Sequence, residues 1–390
     1  MTPFSPGFPP LPPAAVETPA AIVDLDRIRR NIGQTLEGLG RQGLRWRPHV
    51  KTHKSRALAR EQLRAGAVGL TVATPREAEV MADLTDDLLL AHPPVGPKVE
   101  RVVRVAQLTR LRVALDHQGP LEALSVASGR AGTHLGILVE LDVGMGRVGV
   151  GDSRDVLRLA AAAHELPGLS FDGVLFYPGH LTPAKVGLDA GIGEVNRRLE
   201  EILSALAREG MPAGIVSGGS TPTLPWSHHF HGVTEIRAGT CIFHDRTTVA
   251  LGVARGEDVA LRVLSTVVST DGRTRAVLDA GSKALAREAF RGGDQGGFGE
   301  VQVPGRPLVT AVSEEHGVVA LEDSSWRPRV GDTVEIVPNH VCVSVNLQDR
   351  LLARRSDGCY DVVSLEARGR QPYRADLQLP GTADPAVPNS

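Results

Sequence analysis

Short apolar runs alternate with amphipathic stretches over the larger, first part of the chain. Eight apolar runs are predicted as strands, at residues 45–51, 68–73, 87–91, 110–116, 135–142, 170–177, 213–217 and 233–238. Between them, stretches such as Ser55–Ala65 and Ile192–Arg208 carry apolar residues at helical spacing. Strands that alternate with helices indicate parallel β/α units. Eight such units predict an α/β fold, a (β/α)8 barrel of the TIM type.

A different pattern begins near Gly256, where helical stretches become rare and β-rich runs are separated by Gly, Asp and Pro turns. This part of the chain predicts a second, mostly β domain. A strand at Ala21–Leu25 and the helix after it precede the eight barrel strands. The predicted organisation is a Pro-rich arm (1–17), a barrel (18–254), a β-rich domain (255–369) and a polar tail (370–390).

The composition is that of a globular protein with a sizeable core, with 42% hydrophobic and 23% charged residues. A net charge of -2 provides no general attraction to nucleic acid or to an anionic membrane. No apolar run approaches the ~18 residues of a membrane span. Three cysteines in 390 residues argue against a disulfide framework and for a reducing compartment. We therefore expect a cytoplasmic enzyme with a small-molecule substrate and neither a nucleic-acid nor a membrane partner.

The most informative run is RPHVKTHK, residues 47–54, at the end of the first predicted barrel strand. Side chains alternate along a strand, so His49, Lys51 and His53 are predicted to face one way. The two imidazoles, with Arg47 and Lys54 nearby, are expected to create a positive field that lowers the pKa of Lys51, as a Schiff-base lysine requires. A solvated basic strand end that binds an anion explains the same residues. The position at the carboxyl end of a barrel strand, where such barrels place their chemistry, favours the functional interpretation.

A glycine-rich segment, SGGSTPT at residues 217–223, follows the seventh predicted barrel strand. Glycines allow backbone N–H groups to approach an anion, and hydroxyl groups add donors. Ser217, Gly218, Gly219 and Ser220 therefore predict a phosphate cradle, to which Gly239-Thr240 after the next strand could contribute. An ordinary flexible turn is the alternative.

Two further strand ends carry candidate pocket residues. The run DVGMGRVG, residues 142–149, contains a G-x-G-x-x-G pattern, but it lacks the surrounding unit that a dinucleotide site needs. Arg147 in this run is interpreted as a cation that faces the pocket, with a surface arginine as the alternative. Tyr177 and His180, in FYPGH, offer a phenol and an imidazole for pocket lining or acid–base work.

A predicted strand at PNHVCVSVN, residues 338–346, places His340 and Cys342 on one face. Imidazole and thiolate at this spacing suit a transition metal, and Zn²⁺ in particular. Only two ligands are evident, which suits an open catalytic site more than a closed structural one. A buried cysteine beside a satisfied histidine is the alternative. The run HHFH at 228–231 could form a second metal site, although solvated imidazoles are favoured.

Eight motifs occur in the order of one known family: RPHVKTHK, DVGMGRVG, FYPGH, SGGSTPT, EIRAGT, LDAGSKAL, SEEHG and PNHVCVSVNL. From about Thr18 to Leu365 the chain resembles the D-threonine aldolase / D-serine dehydratase family. Members have the fold of alanine racemase and are fold type III pyridoxal phosphate enzymes. One departure is FYPGH, where Ala-Tyr-Asp/Glu-Gly-His is expected.

The resemblance implies a role for each candidate residue. Lys51 would form the Schiff base with pyridoxal phosphate, and His180 would act as a base. His340 and Cys342 would hold a divalent metal (Zn, Mn or Mg). The cofactor would be surrounded by His49, Arg147, Tyr177, Ser217, Gly218, Gly219, Ser220, Gly239 and Thr240. The resemblance also implies a homodimer.

The expected activity is that of a lyase on D-3-hydroxy amino acids. Retro-aldol cleavage to glycine and an aldehyde, as in a D-threonine aldolase, is favoured. Dehydration of D-serine or D-3-hydroxyaspartate to a 2-oxo acid and ammonia is the alternative. A non-catalytic carrier of pyridoxal phosphate would lack the β-rich domain, and a racemase would leave the metal pair without a role.

Overall fold

The protein folds around two β-sheets in a computed structural model that describes residues 9–183 and 187–370. The first strand, β1 (Ala20–Val23), pairs with strands near the end of the chain and therefore belongs to the second sheet. The eight strands that follow form the first sheet. They are β2 (Arg45–Trp46), β3 (Leu70–Val72), β4 (Leu88–Leu90), β5 (Leu111–Leu115), β6 (Leu135–Leu141), β7 (Leu169–Phe176), β8 (Ile215–Gly218) and β9 (Glu235–Ile236).

All eight strands of the first sheet run parallel, in the order β2-β9-β8-β7-β6-β5-β4-β3. The segment after β2 pairs with β3, because Val68 and Thr71 donate backbone hydrogen bonds to the carbonyls of Trp46 and Pro48. The sheet therefore closes on itself. The predicted (β/α)8 barrel is confirmed.

Helices connect the barrel strands and cover their outer face. They are α1 (Leu25–Arg41), α2 (Arg56–Ala65), α3 (Pro75–Met81), α4 (Lys98–Ala106), α5 (Gln118–Ala131), α6 (Ser153–Glu165), α7 (Leu188–Arg208) and α8 (Arg246–Ala250). Local sequence sets several helix starts. Asp24 and Thr74 cap α1 and α3 by accepting backbone N–H groups, and Pro75 occupies the first turn of α3. In α7, residues at helical spacing such as Val195, Leu199 and Leu206 are buried.

The second sheet contains nine strands within the described residues, namely β1 and eight strands from the last third of the chain. These are β10 (Leu261–Thr270), β11 (Arg275–Leu278), β12 (Gly299–Val301), β13 (Val309–Val312), β14 (Gly317–Ala320), β15 (Thr333–Pro338), β16 (Arg350–Arg354) and β17 (Tyr360–Ser364). Two short helices, α9 (Ser282–Leu285) and α10 (Val341–Leu347), interrupt them. The predicted mostly β domain is therefore confirmed as a fold class.

Three local predictions are wrong. The strand predicted at 45–51 ends at Trp46, and residues Val50–Thr52 form a 3-10 turn. Proline at position 48 has no N–H group to continue the ladder. The strand predicted at 338–346 is the helix α10, because a short apolar run fits either period.

The third error concerns β1, which we expected to belong with the barrel but which pairs with β10 and β16. The exact domain boundaries stay predictions. Residues 1–8 of the predicted arm and 371–390 of the predicted tail lie outside the described residues. None of the described helices is long and apolar enough to cross a membrane.

Candidate active site

The site is a cavity of about 460 Å³ at the carboxyl ends of the barrel strands, closed on one side by the second domain. This volume is within the range of small-molecule pockets. Its walls come from the segments after β2, β6, β7, β8 and β9 and from the start of α10. Nine of the predicted site residues line it: His49, Lys51, Arg147, Tyr177, Gly219, Ser220, Gly239, Thr240 and His340.

Lys51 lies in the 3-10 turn after β2 and points into the cavity, with its Nζ 5.8 Å from the centre of the Tyr177 ring. Burial lowers the pKa of Lys51, and the positive charges of Arg147 and Arg237 lower it further, against an opposing effect of Cys342. A lysine in this state is available as a nucleophile closer to neutral pH.

The two neighbouring imidazoles do not supply the positive field that we expected. Burial holds the pKa of His49 well below its ordinary value and lowers that of His53 to about 4, so both rings are neutral near pH 7. His53 does not face the cavity. Its Nε2 lies 3.0 Å from Oε1 of Gln62, and its Nδ1 accepts the backbone N–H of Ser55. The predicted alternation fails because the strand has already ended.

The other cations of the run 47–54 also point away from the cavity. Arg47 points into the barrel interior and pairs with Glu235 and Asp87. Lys54 is buried against Glu77, with 2.5 Å between Nζ and Oε1. The basic run is therefore not one solvated patch, since its charges are distributed between the cavity and two buried ion pairs.

The residues of the glycine-rich segment 217–223 are likewise divided between the cavity and the barrel interior. Gly219, with φ of +80°, lines the cavity together with Ser220 and Thr221. The hydroxyl of Ser217 instead donates to Glu235 in the barrel interior and accepts from Arg237. Gly218 packs on the Phe176 ring, which an added Cβ would approach to 2.3 Å. The side chain of Ser217 therefore points away from the cavity, and neither Ser217 nor Gly218 lines it, in contrast to our expectation.

Two features define the cradle. An added Cβ at Gly239 would lie 2.5 Å from the carbonyl oxygen of His49, so only glycine allows the segment after β9 to pack this closely on the segment after β2. The hydroxyl of Thr221 is buried and has no hydrogen-bond partner among the described residues. A buried donor without a partner is costly, and a ligand oxygen would satisfy it.

Arg147 and Tyr177 form one wall of the cavity, with the guanidinium carbon 4.8 Å from the ring centre. Burial raises the pKa of the Tyr177 phenol, which is therefore protonated near pH 7. His180 does not line the cavity. Its ring lies beside Gly144, 3.3 Å from where a Cβ at that position would be.

His340 and Cys342 are brought together by the start of α10 instead of by a strand. His340 is the N-cap residue and Cys342 lies in the first turn, with its Sγ 3.3 Å from Oγ1 of Thr52 and 3.4 Å from that of Thr240. Burial opposes ionisation of both groups, but their mutual attraction raises the pKa of His340 and lowers that of Cys342. The thiol is thus predisposed to the thiolate form that binds metal.

Within residues 9–183 and 187–370, no group of three or more His, Cys, Asp or Glu side chains is arranged to hold a metal ion. A metal at His340 and Cys342 stays a prediction. The histidines at 228–231 do not form such a group either. His228 and His229 pack edge to face, and Nδ1 of His231 lies 2.5 Å from Oε1 of Glu200.

Four charged residues on the cavity wall were not predicted from the sequence: Glu140, Arg237, Asp245 and Arg291. Glu140 lies on β6 and is buried, which raises its pKa to about 7 in spite of Arg237 and Arg147. Arg237 follows β9, and burial lowers its pKa to about 10. A signal was present, because Glu140 is the one charged residue in the otherwise apolar β6. Arg237 lies two residues after Glu235, on the same inward face.

A parallel β/α barrel with a half-buried lysine in the turn after its first strand, joined to a mostly β domain, defines the class of alanine racemase-like proteins. Residues 23–247 match the family model "Alanine racemase, N-terminal domain", and residues 260–353 match "Putative serine dehydratase domain". The structure of alanine racemase from Bacillus anthracis covers 90% of this chain and 98% of its own, with a TM-score of 0.67 at 16% identity. That likeness shows the fold.

Closer similarity exists within this class. The chain is 34% identical to D-threo-3-hydroxyaspartate dehydratase of Delftia sp. (strain HT23), over 84% of this chain and 92% of the relative. It is 33% identical to D-threonine aldolase of Arthrobacter sp, over 92% and 94% respectively. The crystal structure of D-threonine aldolase from Filomicrobium marinum superposes with a TM-score of 0.84 at 29% identity, covering 93% of this chain and 99% of that chain.

The chain belongs to the D-threonine aldolase / D-serine dehydratase family of fold type III pyridoxal phosphate enzymes. The family resemblance predicted from the motifs is confirmed. The relatives are aldolases and dehydratases, so the enzyme class is that of a pyridoxal phosphate-dependent lyase.

Proposed function

We propose that this protein is a divalent-metal-dependent lyase for D-3-hydroxy amino acids, and that retro-aldol cleavage to glycine and an aldehyde is its main reaction. The observation that carries the proposal is that the candidate cofactor lysine and the candidate metal ligands, far apart in sequence, lie close together. Lys51 and His340 line one cavity. Cys342 is paired with His340, and its sulfur lies 3.3 Å from Oγ1 of Thr52, the residue next to Lys51. A racemase or a carrier would not need that second pair.

The cavity fits pyridoxal phosphate. Four formally cationic residues line it, Lys51, Arg147, Arg237 and Arg291, against two carboxylates, Glu140 and Asp245. This excess suits a phosphate and a substrate carboxylate. We propose that the phosphate binds at Gly219, Ser220, Thr221, Gly239 and Thr240, where the glycine backbone and the partnerless hydroxyl of Thr221 lie.

The protein residues would then act in distinct ways. Bound pyridoxal phosphate supplies an electron-accepting ring for the bond that breaks at the substrate α-carbon. Nζ of Lys51 would hold the cofactor, and the same amine could accept or return a proton at the substrate α-carbon. Arg147 and Tyr177 would orient the ring from one side, and Arg237, which also lines the cavity, would add a positive charge.

His340 and Cys342 provide an imidazole and a thiol that ionises readily, which fit a divalent metal such as Zn²⁺. A metal held there would supply Lewis-acid chemistry at the substrate β-hydroxyl group. One solved structure of a cysteine-to-alanine variant of the Delftia dehydratase, 32% identical to this chain, is of a metal-free form. That relative supports a metal role for the cysteine position in this family.

Dehydration to a 2-oxo acid and ammonia is the second candidate, and a specific observation favours it. Lys51 lines the cavity and His180 does not. Removal of the α-proton by Lys51 leads to loss of the β-hydroxyl group, whereas retro-aldol cleavage needs a base at that hydroxyl group. The match of residues 260–353 to the serine dehydratase domain points the same way.

Product analysis tests the proposal and separates the two candidates. The protein loaded with pyridoxal phosphate and Zn²⁺ or Mn²⁺ is incubated with D-threonine, D-serine and D-threo-3-hydroxyaspartate. We expect glycine and acetaldehyde from D-threonine. Formation of a 2-oxo acid and ammonia from all active substrates would replace the aldolase proposal with the dehydratase one. Turnover that survives complete chelation would refute the metal role.

The proposal includes a cytoplasmic homodimer. Support comes from the family resemblance and from the small number of cysteines. Sedimentation of the loaded protein would show a mass near twice that of one chain.

A further inference from the structure

We propose that Glu288 is a positioning residue for the predicted metal pair, fixing the orientation and the tautomer in which His340 presents its ring to the metal. The inference rests on the metal-dependent function proposed above. It concerns a residue that neither lines the cavity nor belongs to any of the motifs identified in the sequence.

The contact that carries the inference is direct. Oε2 of Glu288 lies 2.8 Å from Nδ1 of His340. A neutral imidazole has one donor nitrogen and one acceptor nitrogen. A carboxylate at Nδ1 favours the proton there and leaves the lone pair on Nε2. Metal-binding histidines commonly use such a partner, which holds the ring in place and makes it a better ligand.

The second oxygen of the same carboxylate is also occupied. Oε1 of Glu288 pairs with the guanidinium group of Arg291, which lines the rim of the cavity. The side chain of Glu288 is 18% exposed, whereas that of Arg291 is 68% exposed. Because one carboxylate oxygen contacts His340 and the other contacts Arg291, rotation of the carboxylate away from His340 would also break the ion pair with Arg291.

The backbone around Glu288 is tied to the residue that precedes His340. Nδ2 of Asn339 donates to the carbonyl oxygens of Glu288 and Gly297, at 3.2 and 2.8 Å. Oδ1 of Asn339 accepts from Arg246 at 3.0 Å. Since Asn339 is nearly inaccessible to solvent, these bonds place the segment that carries Glu288 firmly against the start of α10.

A simple surface ion pair between Glu288 and Arg291 is the competing explanation. Such a pair at i,i+3 contributes little to stability, and its loss would not change the properties of a neighbouring imidazole. The two explanations therefore differ in what removal of Glu288 does to metal binding. They do not differ in what it does to the fold.

The test measures Zn²⁺ affinity of the protein loaded with pyridoxal phosphate, by competition with a chromophoric chelator. Glu288→Ala should weaken binding by roughly 10- to 100-fold. Glu288→Gln should weaken it less, because the amide oxygen can still accept from Nδ1. Arg291→Ala should have the smallest effect of the three. Glu315→Ala, which removes an exposed partner of Lys283, is the matched control and should bind as the wild type does.

A second readout distinguishes positioning from general damage. Co²⁺ in place of Zn²⁺ reports ligand geometry through its visible spectrum, and Glu288→Ala should alter that spectrum while the thermal transition stays within a few degrees. Unchanged Zn²⁺ affinity and an unchanged Co²⁺ spectrum in Glu288→Ala would overturn the inference. If His340→Ala also bound Zn²⁺ like the wild type, the proposed metal site itself would be wrong, and the inference would be refuted with it.

Discussion

The two ends of the barrel interior differ in whether their cationic side chains form ion pairs with carboxylates. Toward the amino ends of the strands, Arg47 and Arg112 are each paired with carboxylates. Arg47 contacts Glu235 and Asp87, and Arg112 contacts Asp87 and Asp172. At the carboxyl ends, three of the four cavity cations, Lys51, Arg147 and Arg237, form no ion pair with a carboxylate of the described residues, whereas Arg291 at the rim pairs with Glu288.

The two ends are connected by one chain of hydrogen bonds. Arg237, beside the cavity, donates to the hydroxyl group of Ser217, which donates to Glu235. Glu235 in turn pairs with Arg47. The cations of the barrel interior that lack an ion pair with a carboxylate of the described residues therefore lie at the carboxyl ends of the strands. A buried cation without an ion-pair partner is costly, and its presence at this end supports the proposal that anionic ligands bind there.

The largest effect is expected at the cavity end, from Lys51→Ala. This variant should lose the visible absorption of the lysine–pyridoxal linkage and on the order of 10³-fold or more of the activity, as when the central nucleophile of an enzyme is removed. Absorption spectra and turnover of the purified protein measure both. Lys283→Ala, on an exposed lysine, should retain both properties. A full absorption band in Lys51→Ala would refute its assignment as the cofactor lysine.

At the other end, Arg47→Ala should destabilise the fold by about 3–5 kcal/mol, because it leaves Glu235 buried without its cation and leaves Asp87 with fewer cationic partners. The shift of the urea unfolding midpoint measures this loss. Arg41→Ala removes an exposed i,i+4 pair with Glu37 and should change stability by less than about 1 kcal/mol. Equal effects of the two variants would show that the paired network does not stabilise the barrel.

The smallest effect concerns Glu140 at the cavity end. Burial raises its pKa to about 7 from an ordinary value of 4.5, so the folded protein binds this proton more tightly than the unfolded chain. Stability must therefore fall as pH rises from 4.5 through about 7. In the cofactor-free protein, Glu140→Gln should remove up to roughly 3 kcal/mol of this fall.

Unfolding measured at several pH values checks that dependence. The difference in stability between Glu140→Gln and the wild type should change in favour of the variant as pH rises, and become constant above neutral pH. Glu122→Gln, on an exposed helical position, supplies the control. A difference that does not vary with pH would contradict the raised pKa of Glu140.

Local sequence predicted the elements whose signal repeats along the chain. The alternation of apolar runs and amphipathic stretches predicted the barrel, and the loss of helical spacing near Gly256 predicted the second domain. Elements whose prediction rests on a single short run were not all predicted correctly. The run after Pro338 alternates β-branched residues as a strand does, yet packing makes it a helix. Strand β1 finds partners more than 200 residues away, which no local pattern specifies.

For the site, the sequence by itself determined the kinds of chemistry present: a lysine at a strand end, a glycine-rich segment and a histidine–cysteine pair. The tertiary structure decided which of these meet and in which charge state. It turned His53 and Ser217 away from the cavity and neutralised both imidazoles near Lys51 by burial. It also placed Cys342 against Thr52, 290 residues earlier in the chain. Residue types are local properties, whereas pKa values and contacts depend on burial and on neighbours that only the folded chain supplies.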